Sequence, residues 1–225
     1  MPQTTYEKSS ERKSLWNVLE NPFVYRLSQA VLAPRAEERI IREVKKAVGP
    51  SLPAGRHLDI GCGPKSYLWQ MGLAPIGIDL IHGYNIHFRK NGKAAITGSA
   101  SALPFRDESF DTVWNFGLLH HLSDKIAIQA LAEMLRVVRP GGRVFLFDGV
   151  LPRSAWRQPV MWTQRKLDRG RHMRKQEALE VLLVDRSRWR LQRFRYCFWG
   201  QEGIFGIYQK PYRHLEGNEL GKKNA

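Results

Sequence analysis

Cysteine is scarce: Cys62 and Cys197 are the only two in 225 residues, too few for a disulfide framework and without metal-ligand spacing. No apolar run approaches the roughly 18 residues that a membrane-spanning helix needs, so no transmembrane segment is expected. The opening MPQTTYEKSSERKS is polar and has no apolar stretch of the signal-peptide kind, which makes a cytoplasmic location the expectation. Internal repeats and low-complexity tracts are missing as well. Acids are in deficit, with 21 Asp and Glu against 36 Lys and Arg and a formal net charge of +15. The excess is uneven: from 153 to 213 fifteen Lys or Arg face five Asp or Glu, a local net of +10. Such a field favours nucleic acid, an anionic membrane surface or an acidic small molecule, although much of any basic charge is simply solvated.

What is present suits one domain with additions. Apolar residues make up 43% of the chain, enough for a substantial core. Residues 15–32 form an amphipathic segment interrupted by Pro22. Pro34 is placed as the first residue of a second helix, PRAEERIIREVKKAVG, with acids early, bases late and Gly49 at its end. A short apolar strand, RHLDI, then runs into GCGPK, and PIGID forms a second strand ending at Asp79. Residues 94–97 and DTVWNF supply a third and fourth. A helix over 124–138 is broken by the turn RPGG, and RVFLFDGV is an apolar buried strand. Residues 153–173 lack clean periodicity, while 176–184 read as helix. Two final strands, RLQRFRYCFW and GIFGIYQK, are joined too closely for a crossover and are expected to pair antiparallel. Strands alternating with helices imply an α/β fold, a Rossmann-like, seven-stranded, mostly parallel sheet with an antiparallel C-terminal strand and helices on both faces. Residues 1–50 are expected as a helical lid, 51–213 as the main domain and 214–225 as a loose tail.

The central pattern is strand, glycine turn, helix, strand, acid. Gly61 and Gly63 let the backbone turn sharply and approach a ligand. Asp79 stands where a carboxylate accepts both hydroxyls of a ribose. A dinucleotide fingerprint would carry a third glycine where Ser66 stands.

Taken in order, HLDIGCGPKSYLW, PIGIDL, GSASALPFRDESFDTVW, LLHHL and LRVVRPGGRVFLFD resemble the class I S-adenosylmethionine-dependent methyltransferases, above all the type 11 methyltransferase domain. The resemblance implies S-adenosylmethionine as cofactor. It implies that Asp59, Gly61, Cys62 and Gly63 line its amino-acid end and that Asp79 and Leu80 hold its ribose. Ser99 and Ala100 would lie along the adenine, with Asn115 and Phe116 flanking the sulfonium, where an aromatic face suits a cation. Two positions depart from the family: Lys65 where a third glycine is common, and Ser99 where an acid is common. Cys62 also reads as a small filler whose backbone matters.

Methyl transfer from a sulfonium is an in-line displacement that positioning alone can drive far, and a base is needed only when the acceptor must lose a proton. His120, after the fourth strand, is the candidate base, although LHHL recurs in the family across unrelated substrates. Asp148, ending the fifth strand, is a candidate substrate contact. The run NFGL is unlike the Asn/Asp-Pro-Pro-aromatic run of DNA amino-methylation, and no cysteine stands where C5-methylation of pyrimidines needs one. The N-terminal helices and an insertion at 151–173 are expected to cover the acceptor, with Tyr25 and Trp162 beside it and Arg165 on the rim. That combination suits a small anionic or amphiphilic molecule. Two rivals stand beside it: an RNA methyltransferase using the Arg- and aromatic-rich strand 185–199 as a platform, and a non-catalytic scaffold that keeps only the cofactor fold.

Overall fold

The structure, a computed structural model, describes residues 35–49, 54–154, 156, 158–166, 172–197 and 200–212. The first helix, α1 (Ala36–Val48), buries Ile40, Ile41, Val44 and Val48 along one face. Glu37 and Glu38 in its first turn and Lys45 and Lys46 in its last complement the helix dipole. Pro34, expected at its first position, lies outside the described residues, and Arg35 precedes the helix in a left-handed conformation.

Seven strands follow: β1 (His57–Ile60), β2 (Ile76–Asp79), β3 (Ala95–Thr97), β4 (Phe110–Phe116), β5 (Val138–Val150), β6 (Trp189–Arg195) and β7 (Glu202–Gln209). They form one sheet in the order β3-β2-β1-β4-β5-β7-β6. The first five run parallel, and β7 runs antiparallel to both β5 and β6. The expected mostly parallel sheet with a reversed C-terminal strand is the one observed.

Side chains alternate across the sheet with the period of two that strands impose. Leu58, Ile60, Val113, Val144 and Leu146 point to one face, where α3 (Asp124–Val137) supplies Ala127, Leu131 and Met134 and α5 (Gln176–Leu182) supplies Leu179 and Leu182. Trp114, Phe145, Phe147 and Phe205 point to the other face, against Ile40, Val44 and Val48 of α1. On that same face α2 (His82–Lys90) packs Phe88 against Cys62 and Ala95.

Several elements differ from the sequence expectations. The helix after the glycine turn is only a five-residue 3₁₀ turn, Tyr67–Met71, started by Ser66, whose hydroxyl accepts from Leu68 N, and ended by Gly72 at φ +77°. Helix α2 was not foreseen, because its buried residues, Tyr84, Asn85 and Phe88, give a weak apolar period. A short helix, α4 (Pro159–Lys166), stands in the aperiodic insertion. Finally, β5 starts at Val138 rather than after RPGG. Phe110 pairs with Val138 and Thr112 with Arg143, so the turn residues form a bulge within the strand.

The chain passes outward from β1 to β2 and β3, then returns to β4 on the other side of β1. A crevice opens at such a reversal, beyond the carboxyl ends of the parallel strands.

Candidate active site

A cavity of about 420 Å³ occupies that crevice. Gly61, Gly63, Asp79, Leu80, Ser99, Ala100 and Phe116 line it, as does His121 of the LLHHL run, and so do Tyr84, Leu118 and Leu122, which were not singled out from sequence. The glycine turn hangs from β2 by Gly61 N donating to Ile78 O at 2.8 Å. Gly61 and Gly63 take φ of +69° and +59°, the left-handed region that disfavours side chains. A Cβ on Gly61 would sit 3.1 Å from Leu118, whereas one on Gly63 would meet no atom within 4 Å. The backbone at Gly63 is therefore bare toward open space.

Asp79 faces this backbone. Its Oδ2 accepts from Gly63 N at 3.0 Å and its Oδ1 from Ile81 N at 2.9 Å. Each carboxylate oxygen keeps capacity for another donor, as a vicinal diol requires. Burial raises the Asp79 pKa above the ordinary carboxylate value, and the N–H donors of Ile81 and Gly63 oppose that shift. Buried Asn85 braces the site: its Nδ2 donates to Asp79 O at 2.8 Å and to Thr97 Oγ1 at 3.1 Å. Ser99 Oγ lies 2.9 Å from Ser101 Oγ and accepts from Ser101 N.

Three residues expected to contact cofactor stand behind the cavity wall instead. Asp59 is 2% exposed and accepts from Ser66 Oγ at 2.5 Å. Burial pushes its pKa up to about 7, the nearby Asp79 charge adds to this, and the Ser66 hydrogen bond opposes it. Cys62 packs behind the turn, close to Gly77 and Phe88, and burial raises its thiol pKa far above the usual range. Asn115 is fully buried. Its Nδ2 donates to Ile60 O at 2.8 Å, while its Oδ1 has no partner.

On the β4 side, Gly117 N donates to Phe147 O at 2.7 Å, leading into a 3₁₀ turn, Leu119–His121. His120 Nδ1 lies 2.6 Å from Asp148 Oδ1, and His120 N donates to Asp148 Oδ2 at 3.2 Å. Asp148, the expected substrate contact, is 1% exposed and directs both carboxylate oxygens to His120. The His121 ring, 4.1 Å from that of His120, stands at the cavity wall. Phe116 also lines the wall, backed by a stacked Tyr67 at 5.0 Å; Tyr67 is another residue that gave no sequence signal.

Of the expected acceptor residues, Tyr25 and the side chain of Arg165 lie outside the described residues, as does most of the N-terminal lid. Trp162 is half-buried on α4, Met161 is buried, and Trp156 is 95% exposed. The edge strand β6, expected as a nucleic-acid platform, exposes Arg190 and Arg195 but turns its rings inward. Trp189 and Tyr196 are buried, and Phe194 packs against Phe147 at 5.6 Å. Arg186, Arg188 and Arg193 pair with Glu180, Asp185 and Glu202. Among the described residues no helix is long and apolar enough to cross a membrane, and no group of three His, Cys, Asp or Glu is arranged to hold a metal ion.

Bare backbone at Gly63, a carboxylate facing it and an aromatic wall at Phe116 fit S-adenosylmethionine: Asp79 for the ribose diol, the glycine turn for the amino-acid end, Phe116 beside the sulfonium. Comparison with known proteins agrees. Residues 58–146 match the family described as a methyltransferase domain. A tRNA (carboxymethyluridine(34)-5-O)-methyltransferase of Arabidopsis thaliana is 34% identical over 135 residues, 57% of this chain and 33% of that protein. A demethylmenaquinone methyltransferase of Renibacterium salmoninarum is 37% identical over 132 residues, 55% of this chain and 53% of that protein. The chain thus spans a third to about half of the length of these relatives. The fold is shared with a Thermotoga maritima methyltransferase described as a possible histamine N-methyltransferase, at a TM-score of 0.66 and 19% identity over 87% of this chain and 100% of the other. With a match that begins inside β1, ends inside β5 and takes in every residue lining the cavity, residues 58–146 form a methyltransferase domain of the S-adenosylmethionine-dependent type, and the family and the shared fold imply S-adenosylmethionine as its cofactor.

Proposed function

We propose that the chain transfers a methyl group from S-adenosylmethionine to a small anionic or amphiphilic acceptor whose nucleophilic atom carries a proton. The observation that carries this reading is the His120–Asp148 pair, which does not itself line the cavity but abuts His121 and Gly117, which do. A buried carboxylate engaging Nδ1 selects the tautomer and ring orientation of a general base, so proton acceptance falls to Nε2. The cofactor supplies a methyl on a positively charged sulfur. Asp79 and the glycine turn would hold the cofactor; the acceptor atom would take its methyl, the electron pair of the S–CH₃ bond staying on sulfur, and His120 would accept the proton that the acceptor loses. The basic field of residues 153–213 suits an anionic acceptor.

RNA is the second reading, and the tRNA methyltransferase among the relatives favours it. The inward-turned aromatics of β6 argue against that strand as a base-stacking platform. The test is incubation with methyl-labelled S-adenosylmethionine and cell extract, followed by separation of small molecules from RNA. Label in the small-molecule or lipid fraction supports the proposal; label confined to RNase-sensitive material overturns it in favour of RNA. No label in any fraction overturns both readings and leaves a cofactor-binding scaffold. In the labelled fraction, His120→Gln is expected to slow transfer by about 10²–10⁴-fold, the usual worth of a general base, with cofactor binding retained.

A further inference from the structure

The segment that follows the 151–173 insertion is built against the histidine turn. Arg174 is 9% exposed, and its guanidinium reaches three places at once. Nη1 donates to Leu119 O at 2.7 Å and Nη2 to Leu122 O at 2.6 Å, the carbonyls on either side of His120 and His121. Nε and Nη2 also donate to Asp124 Oδ1, at 2.9 and 2.7 Å, where α3 begins. The backbone adds two further ties. His172 N donates to His120 O at 3.1 Å, and Leu151 N donates to Arg174 O at 2.8 Å. The second tie joins the two ends of the insertion into a neck, three residues past Asp148.

A planar fork with five N–H donors can bind two carbonyls and a carboxylate together; an ammonium on a flexible stem cannot hold that geometry. The carbonyls of a short 3₁₀ turn have few partners of their own. We propose that Arg174 is a positioning residue for the acceptor half of the site: it locks the neck of the insertion to the Leu119–Leu122 turn and thereby fixes the His120 imidazole against Asp148. The turn, the neck and the start of α3 then move as one body, while Gly61, Gly63 and Asp79, the polar part of the cofactor cavity, are not among the hydrogen-bond partners of Arg174.

This assignment rests on His120 facing the acceptor, and it is tested by readouts that need no acceptor. The full chain, its Arg174→Gln variant and its Asp124→Asn variant are labelled in the histidine rings. The His120 resonances, identified by their loss in His120→Gln, are followed against pH by NMR. Amide exchange over residues 117–124 and calorimetric binding of S-adenosylmethionine complete the set. Arg174→Gln is expected to shift the His120 ring signals and titration midpoint. It is also expected to speed exchange in the turn about 10- to 100-fold, as loss of charged hydrogen bonds to a local structure implies. Cofactor affinity is expected to change by less than about threefold, since the charged and backbone contacts to it are untouched. Asp124→Asn, at an exposed helix start, keeps both carbonyl bonds and is expected to give the same shifts at smaller size, so it carries the test if Arg174→Gln does not fold. His120 signals and turn exchange superimposable on those of the parent in a folded variant would overturn the assignment. So would a loss of cofactor binding in step with them, which reports general loosening of the fold. Failure to find methyl transfer would overturn the proposed function and leave these readouts standing.

Discussion

Asp59 sits under the glycine turn as a fully buried carboxyl whose pKa is pushed up to about 7, first by burial, with Asp79 adding and Ser66 opposing. An unfolded chain holds the same group near the ordinary value of 3.8. Between those two values the native protein carries a proton that the unfolded chain has released. Stability therefore falls as pH rises from about 4 to about 7 and levels off above, the reverse of a salt-bridged aspartate. The interval of roughly three pH units corresponds to about 4 kcal/mol as an upper figure, at about 1.4 kcal/mol per unit. Asp59→Asn keeps the shape and an oxygen for the Ser66 hydroxyl while removing the charge. Urea unfolding without cofactor, repeated at several pH values from 4 to 8, measures the effect. Parent and variant are expected to match near pH 4 and to diverge steadily, the variant becoming more stable by up to about 4 kcal/mol at pH 8. Carboxylates other than Asp79, whose charge is coupled to that of Asp59, titrate alike in both proteins, so the difference between the curves reports Asp59 and that coupling. Ser66→Ala removes the hydrogen bond that favours the charged form and is expected to extend the fall in stability to higher pH. A constant difference between parent and Asp59→Asn across the whole range would refute the reasoning.

Asp79→Ala is expected to weaken S-adenosylmethionine binding by about 10- to 100-fold in calorimetry, the usual cost of losing a charged hydrogen-bond partner. Because burial raises the Asp79 pKa, affinity in the parent protein is expected to fall with acidification sooner than an ordinary aspartate would dictate. Gly63→Val adds a side chain at φ +59° into open space. It is expected to lower stability by about 1–2 kcal/mol from backbone strain and to abolish cofactor binding, read by thermal unfolding and calorimetry; unaffected binding would show that the ligand does not approach this backbone.

How legible the site was in the sequence depended on the range over which each residue acts. Gly61, Gly63 and Asp79 carry local signals, a turn that needs left-handed backbone and a carboxylate at a strand end, and they come together at the cavity. Phe116, Ser99 and Ala100 were placed by motif order and line the same cavity. Asp148 was located correctly at its strand tip, but its partner His120 arrives from 28 residues away, and only the fold shows that one orients the other. Arg174 was invisible as one arginine in a basic stretch, because its meaning lies in carbonyls about 50 residues earlier. The strand 189–195 alternates Arg with aromatics, which a stacking platform and a half-buried edge strand share. Three-dimensional context turned its rings inward. The bulge at RPGG escaped for a related reason: two glycines after a proline read as a stop, yet Gly142 lies so close to Asp111 O that a Cβ there would stand 2.8 Å from it, and the strand pairing continues past it.

The joined neck at Leu151 and Arg174 has an evolutionary and practical corollary. Because the two ends of the excursion between them are held together by the body of the protein, lengthening it adds only a logarithmic loop-closure cost, about 0.6 kcal/mol per doubling. The sheet, the glycine turn and the histidine turn are indifferent to what is spliced into that position as long as the fork of Arg174 remains. Were that excursion to cover the acceptor, acceptor range would be separable from cofactor chemistry, one module being exchangeable between related chains while the other is inherited unchanged.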